Sequence, residues 1–140
     1  MGRVNAGAPT QEIPGLEPAL LRWRIDVDVL VVEFRGRRHS PTHMAGCWRA
    51  VQALAAQHRL AKVLAIDLMD DEPLTGEQRE AFIRFLGLDV FAGRRWAYVA
   101  RSVDRVSAYE ATQLDAQDMG LDVRVFSSLS EAELWVHFPG

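Results

Sequence analysis

The pattern of apolar and polar residues between Leu21 and Gly36 predicts a β-hairpin. Trp23, Ile25 and Val27 alternate with arginine and aspartate residues, and the run Val29-Leu-Val-Val-Glu-Phe34 follows almost at once. Alternation with a period of two is typical of strands. We expect the turn between the two strands near Asp26 to Asp28.

A helical period replaces this alternation after Ser40-Pro41, a pair that supplies an N-cap and a proline at the first helical position. Apolar residues then recur every three or four positions, which predicts an amphipathic helix. They are Met44, Cys47, Trp48, Val51, Leu54 and Ala55.

The segment Lys62-Val-Leu-Ala-Ile-Asp-Leu68 is apolar on both alternating faces, as expected for the central strand of a largely parallel sheet. Strands and helices alternate after it. The predicted elements are a helix from Thr75 to Gly87, a strand from Trp96 to Arg101, a helix from Ser107 to Met119, a strand from Asp122 to Ser127 and a helix from Ser130 to His137. The order ββαβαβαβα predicts an α/β fold, with a mixed, mostly parallel sheet of about five strands and four helices.

Three predicted helices begin with a hydroxyl residue followed three positions later by Glu or Gln. The pairs are Thr75 with Gln78, Ser107 with Glu110, and Ser130 with Glu133. Each pair predicts a capping box, in which the two side chains satisfy backbone N–H groups that the helix leaves unpaired.

A length of 140 residues fits one domain, and 49% hydrophobic with 25% charged residues is typical of a globular protein. Residues 1–19 contain several glycines and prolines and show neither a helical nor a strand period, so we expect them to form a flexible tail. The domain should span residues 20–140. Cys47 is the only cysteine, so an internal disulfide is excluded.

The formal charge of −3 gives no net basic field for a phosphate backbone, so we expect no nucleic-acid partner. The aliphatic runs are far shorter than the ~20 residues that span a bilayer, so we expect no membrane insertion. Because the N-terminus also lacks the apolar stretch of a signal peptide, the expected location is cytoplasmic.

Four carboxylates cluster where the central strand should end: Asp67, Asp70, Asp71 and Glu72. Sites in open α/β sheets form at the carboxyl ends of strands, and several carboxylates there could bind a divalent cation. The spacing is not specific for a metal, and a solvated acidic loop is the simpler interpretation. No glycine-rich phosphate loop is present, and the sequence predicts no cofactor.

Two further groups of residues are candidate sites. His43 and Cys47 would lie on adjacent turns of one helix, but zinc would need more ligands than the nearby sequence supplies, so Cys47 is predicted to be a core residue. The doublets Arg37-Arg38 and Arg94-Arg95 could bind an anion. Lys62 is the only lysine among 16 basic residues, however, and arginine doublets also arise from such a composition by chance.

The element order and three stretches of sequence resemble the SpoIIAA-like branch of the STAS superfamily, the anti-sigma-factor antagonist fold. The stretches are Val29-Leu-Val-Val-Glu-Phe-Arg-Gly36, Lys62-Val-Leu-Ala-Ile-Asp-Leu68 and Val123-Arg-Val-Phe-Ser-Ser-Leu-Ser-Glu-Ala-Glu-Leu-Trp135. The resemblance covers about Leu21 to Phe138. It implies a mixed sheet packed with helices and a regulatory or binding role. Because the sequence combines a complete core with no catalytic set of residues, we expect a domain without enzymatic activity.

Phosphorylated members of this family carry a serine directly after the central strand, and only Thr75 can take its place here. Phosphate on Thr75 would meet Asp70, Asp71 and Glu72, whose repulsion opposes the attraction of the helix N-terminus. Thr75 is therefore a phosphoacceptor candidate that is predicted to act mainly as a cap.

The sequence predicts a STAS-like domain that binds a protein partner or a small apolar ligand. Assembly into a homodimer is a further possibility. The candidate binding residues are those predicted to meet at the carboxyl edge of the parallel strands: Asp67, Asp70, Asp71, Glu72, Thr75 and Ser107. Full carboxylate charges outweigh the half-charge of a helix end, so the expected partner surface is basic. The alternative is a metal-assisted hydrolase that uses the loop from Asp67 to Glu72.

Overall fold

A computed structural model describes residues 11–12, 21–36, 41–70, 75–78, 80–81, 88–100 and 102–138. It contains a six-stranded sheet in which the strands are ordered as they occur in the chain. The strands are β1 (Gln11–Glu12), β2 (Leu21–Asp26), β3 (Val29–Gly36), β4 (Lys62–Met69), β5 (Arg95–Val99) and β6 (Asp122–Phe126). The β1–β2 and β2–β3 pairs are antiparallel, and all later pairs are parallel.

In the ranges that the structure describes, four helices complete the fold. They are α1 (Pro41–Gln57), α2 with its described residues 76–78 and 80–81, α3 (Val103–Asp118) and α4 (Leu129–His137), and a short 3₁₀ turn, Leu88–Phe91, precedes β5. The predicted α/β class, with a mixed, mostly parallel sheet and four helices, is confirmed. The two-residue strand β1 lies in the segment that the sequence assigned to the tail, and it pairs with Trp23 and Arg22.

Each face of the sheet is covered by its own layer, because side chains alternate between the faces of each strand. On one face the core includes Val63 and Ala65 of β4 together with Trp48 of α1 and Ala116 of α3. On the other face, Ala132 and Val136 of α4 pack on a smaller apolar cluster. Residues on β4 are therefore enclosed from both sides, as the apolar sequence of this strand predicts.

The side chains of α3 cover the outer edge of β6. Gln113 Oε1 accepts a hydrogen bond of 2.6 Å from Val125 N, and Gln117 Nε2 donates one of 3.1 Å to Val123 O. Backbone groups at a sheet edge can otherwise pair with a strand of another chain. Pairing of a second copy along β6 would have to displace both glutamines.

The turn between β2 and β3 strains the backbone at Val27, which has a φ of 58°. A β-branched residue is disfavoured in this left-handed region because its Cβ approaches the backbone. Since Val27 is 71% exposed, its replacement removes little packing. We expect Val27→Gly to raise the free energy of unfolding by about 1 kcal/mol in urea denaturation. Val27→Ala retains the Cβ, so its increase in the free energy of unfolding should be clearly smaller. An equal increase in both variants would contradict this explanation.

Candidate functional site at the carboxyl edge of the parallel strands

The carboxyl ends of the parallel strands meet at one edge of the sheet, as predicted. Gly36 of β3 pairs with Met69 of β4 at this edge, and Asp70 N donates a hydrogen bond of 2.9 Å to Gly36 O just beyond it. The described helices α1, α2, α3 and α4 each follow a strand that ends here. The edge therefore brings together the exit of the central strand and the beginnings of these four helices.

Asp67 lies inside β4 and is only 1% exposed. It faces the same side of the sheet as Val63 and Ala65, because all three are separated by even numbers of residues. β4 extends to Met69, one residue beyond the predicted strand. This placement corrects the expectation that Asp67 belongs to an exposed acidic loop.

Three donors from three segments converge on the Asp67 carboxylate. Its Oδ1 accepts a hydrogen bond of 2.9 Å from Met69 N. Its Oδ2 accepts one of 2.6 Å from the Tyr98 hydroxyl and a longer one of 3.4 Å from the Tyr109 hydroxyl. The tyrosine rings also contact each other edge to face, with centroids 5.1 Å apart. Asp67 thus links β4 with β5 and α3.

The hydrogen bonds around Asp67 stabilise its buried carboxylate within the fold. Both carboxylate oxygens accept hydrogen bonds, and a buried carboxylate without such donors would be very costly. Across the ranges that the structure describes, no three His, Cys, Asp or Glu side chains are grouped so that they could hold a metal ion. We describe Asp67, Tyr98 and Tyr109 below as the Asp67 cluster.

Sequence reasoning missed the two tyrosines of the Asp67 cluster, although a signal was present. Tyr98 pairs with Ala65 in the β4–β5 ladder, so it points to the face that Asp67 also occupies. A buried tyrosine needs a partner for its hydroxyl, and the single acidic residue in a central strand is an obvious acceptor. Tyr109 could not be matched in this way, because it lies on a helix from a distant segment and its contact with Asp67 depends on tertiary packing.

The acidic segment comprises Asp70, Asp71 and Glu72. Asp70 is exposed. Asp71 and Glu72 lie outside the described residues. Thr75 is exposed and begins the capping box that the sequence predicts: Thr75 N donates to Gln78 Oε1 at 3.0 Å, and Gln78 N donates to Thr75 Oγ1 at 3.2 Å. The cap function of Thr75 is therefore confirmed.

Replacing Thr75 tests how much this cap contributes. We expect Thr75→Ala to lower the free energy of unfolding by about 1 kcal/mol, because the N–H of Gln78 loses its acceptor. Thr75→Ser keeps the acceptor and should be nearly neutral. Urea denaturation of the two variants measures the difference. Equal destabilisation by serine and alanine would mean that the threonine methyl group, and not the hydroxyl, stabilises this segment.

Ser107 does not begin a helix, and the predicted capping box with Glu110 is wrong. α3 begins four residues earlier at Val103, with Ser102 at the N-cap position, and Ser107 is an exposed residue within the helix. The first intrahelical bonds run from Arg105 N and Val106 N to Ser102 O. The earlier start gives α3 about one turn more than the sequence predicts.

The cap of α4 also differs from the prediction. Ser128 occupies the N-cap position, and its hydroxyl accepts a hydrogen bond of 3.3 Å from Glu131 N. The predicted box of Ser130 with Glu133 is therefore wrong by two residues. Ser128 and Glu131 have the same spacing as Ser130 and Glu133, so spacing alone could not show which serine caps the helix.

Cys47 is buried in the core, as predicted, and burial raises the pKa of its thiol from 9.0 to about 11. The thiolate is the reactive form of cysteine. At pH 8 this higher pKa leaves about a hundredfold less thiolate, so Ellman's reagent should react at least about 100 times more slowly with the folded protein than with the urea-unfolded chain. A native reaction as fast as the unfolded one would contradict the burial of Cys47.

The chain matches no protein-family model, no curated protein and no solved structure. Among the residues that the structure describes, no helix combines the length and apolar character needed to cross a membrane.

Proposed function

We propose that this chain is a non-enzymatic, STAS-like binding module whose carboxyl edge binds a basic surface of a protein partner. One observation carries the proposal. The carboxylate that a catalytic or metal site would need at the end of the central strand, Asp67, is buried and bonded to donors of the fold. The acidic residues that follow it begin at the exposed Asp70.

The charge distribution supports a basic partner. Asp70 is exposed at the strand exit, and Glu77 and Glu80 are exposed on α2. The nearby arginine of β3, Arg35, is paired with Glu33 at 2.8 Å, so that pair adds no net charge. Asp71 and Glu72 add two more acidic residues in sequence. A complementary charged surface speeds association and favours the correct partner.

Binding of a short polycation tests the location. In an NMR titration with decalysine, we expect the largest amide shifts at residues 68–70 and 75–78. The triple variant Asp70→Asn, Asp71→Asn, Glu72→Gln should lose these shifts, whereas Asp118→Asn, an exposed position at the far end of α3, should retain them. Shifts centred elsewhere on the domain, or unchanged in the triple variant, would refute the proposed interface.

The metal-assisted hydrolase makes a different prediction. It requires a divalent cation at the same acidic segment, without the oxygens of Asp67 that already accept hydrogen bonds. Calorimetric titration with Mg²⁺ and Ca²⁺ separates the two hypotheses. The binding module predicts no binding heat from either cation, and saturable heat that disappears in the triple variant would favour the hydrolase.

A further inference from the structure

A cleft of about 470 Å³ lies at the edge of the sheet opposite to the acidic segment. It is formed where the chain enters the three later parallel strands, so its lining comes from the residues just before and at the starts of β4, β5 and β6. The residues are Ala61, Ala92, Gly93, Arg94, Arg95, Gly120, Leu121 and Asp122. Its volume is within the range of small-molecule sites.

Two arginine side chains are held in place at this cleft. Arg94 Nε donates a hydrogen bond of 2.9 Å to Leu60 O, which anchors the guanidinium and leaves its terminal nitrogens without a partner among the described residues. Arg95 Nε donates to Trp135 O at 3.1 Å, and its guanidinium lies 3.7 Å from the centre of the Trp135 ring. Arginines that are already oriented lose less conformational entropy when they bind an oxyanion.

The net charge of the cleft favours a single negative charge. Asp122 forms an ion pair of 3.2 Å with Arg95, so the two arginines and this carboxylate together carry one uncompensated positive charge. A carboxylate neutralises this charge and matches the planar fork of an arginine. A phosphate dianion would bring a second charge close to Asp122.

The walls of the cleft leave room for the body of a ligand. Gly93 and Gly120 have φ values of 78° and 79°, and a Cβ built on either would meet no atom within 4 Å. Ala61, Ala92 and Leu121 provide apolar surface beside the arginines. Cationic groups at one end and small apolar groups around them are the combination that binds an amphipathic carboxylate.

We propose that this cleft, at the amino ends of the parallel strands, binds a small organic carboxylate, with Arg94 as the principal contact and Arg95 as the second. The site is separate from the acidic carboxyl edge and takes a ligand of opposite charge. Carboxylate binding would give a function to the doublet Arg94-Arg95, although an arginine-rich composition also produces such doublets by chance.

Hexanoate, hexanamide and hexyl phosphate serve as probes in NMR titrations of the full chain. Hexanoate should shift the amides of residues 92–95 and 120–122 in a saturable way. Hexanamide lacks the charge and should bind at least about ten times more weakly. If hexanamide bound as well as hexanoate, or if hexyl phosphate bound more tightly, the assignment to a carboxylate site would be overturned.

Variants at the cleft separate binding from stability. Ala92 is exposed, so Ala92→Glu should leave the fold intact while placing a competing carboxylate beside Arg94. We expect this variant to bind hexanoate about ten times more weakly. The neutral control Ala92→Gln should bind hexanoate nearly as well as the native chain. Arg94→Gln should weaken binding similarly, and Arg22→Gln, an equal charge change on β2, should not. Unaltered affinity in both Ala92→Glu and Arg94→Gln would refute the site.

Discussion

Asp67→Ala is expected to lower the free energy of unfolding by about 3 kcal/mol, because the buried N–H of Met69 and the two tyrosine hydroxyls lose their acceptor together. Buried donors that are left unsatisfied cost about 1–3 kcal/mol each, and a small cavity adds to the loss. Urea denaturation at neutral pH measures the change.

Two controls separate the Asp67 cluster from a general effect of removing acidic residues. Asp70→Ala alters an exposed residue, so we expect a change of about 0.5 kcal/mol or less. Tyr98→Phe removes one donor and should cost about 1 kcal/mol. The double variant Asp67→Ala, Tyr98→Phe should be less destabilised than the sum of the two, because both single changes break the same hydrogen bond. Additive losses, or equal effects at Asp67 and Asp70, would contradict the cluster.

Trp48→Ala is expected to lower the free energy of unfolding by about 4 kcal/mol, the range for a buried tryptophan truncated in a core. Trp48 is 8% exposed, and its ring contacts four aromatic rings on the same face of the sheet. They are Phe34, Phe91, Trp96 and Tyr98, with centroid distances between 4.8 and 6.0 Å.

Trp135 provides the matched control for Trp48. It is partly buried on the opposite face, where it contacts Phe126 and Arg95, so Trp135→Ala should cost clearly less than Trp48→Ala. Tyr98 packs on Trp48 and bonds to Asp67, so loss of Trp48 should also weaken the Asp67 cluster. A near-neutral Trp48→Ala, measured by urea denaturation, would show that α1 does not pack on the sheet through this residue.

Much of the fold followed from hydrophobic periodicity. The hairpin turn at Val27 and Asp28, the helix that begins at Pro41 and the central position of β4 agree with the predictions. These features depend on local patterns, which the sequence contains in full. Strand β1 was missed, because its two residues are too few to show a period and depend on pairing with β2.

The candidate site was harder to predict, because its parts come from distant segments. The capping box at Thr75 was found, since four consecutive residues define it. Asp67 lies in the predicted strand, but its burial and its contacts with Tyr98 and Tyr109 depend on tertiary packing, which a carboxylate near a strand end does not reveal. The predicted start of α3 was four residues too late, because Ser107 and Glu110 have the spacing of a capping box although both lie within the helix.

The salt dependence of decalysine binding tests the central claim most directly. Fluorescence anisotropy with a labelled peptide would compare the native chain, the variant neutralised at Asp70, Asp71 and Glu72, and a control variant, Glu110→Gln, Asp118→Asn, Glu133→Gln, with the same change in charge. If the carboxyl edge is the binding surface, the native chain and the control should bind with a similar steep decrease in affinity as salt increases, and the neutralised variant should bind weakly with a flatter dependence. If the neutralised variant retained the affinity and salt dependence of the native chain while the control lost them, the carboxyl edge would not be the interface.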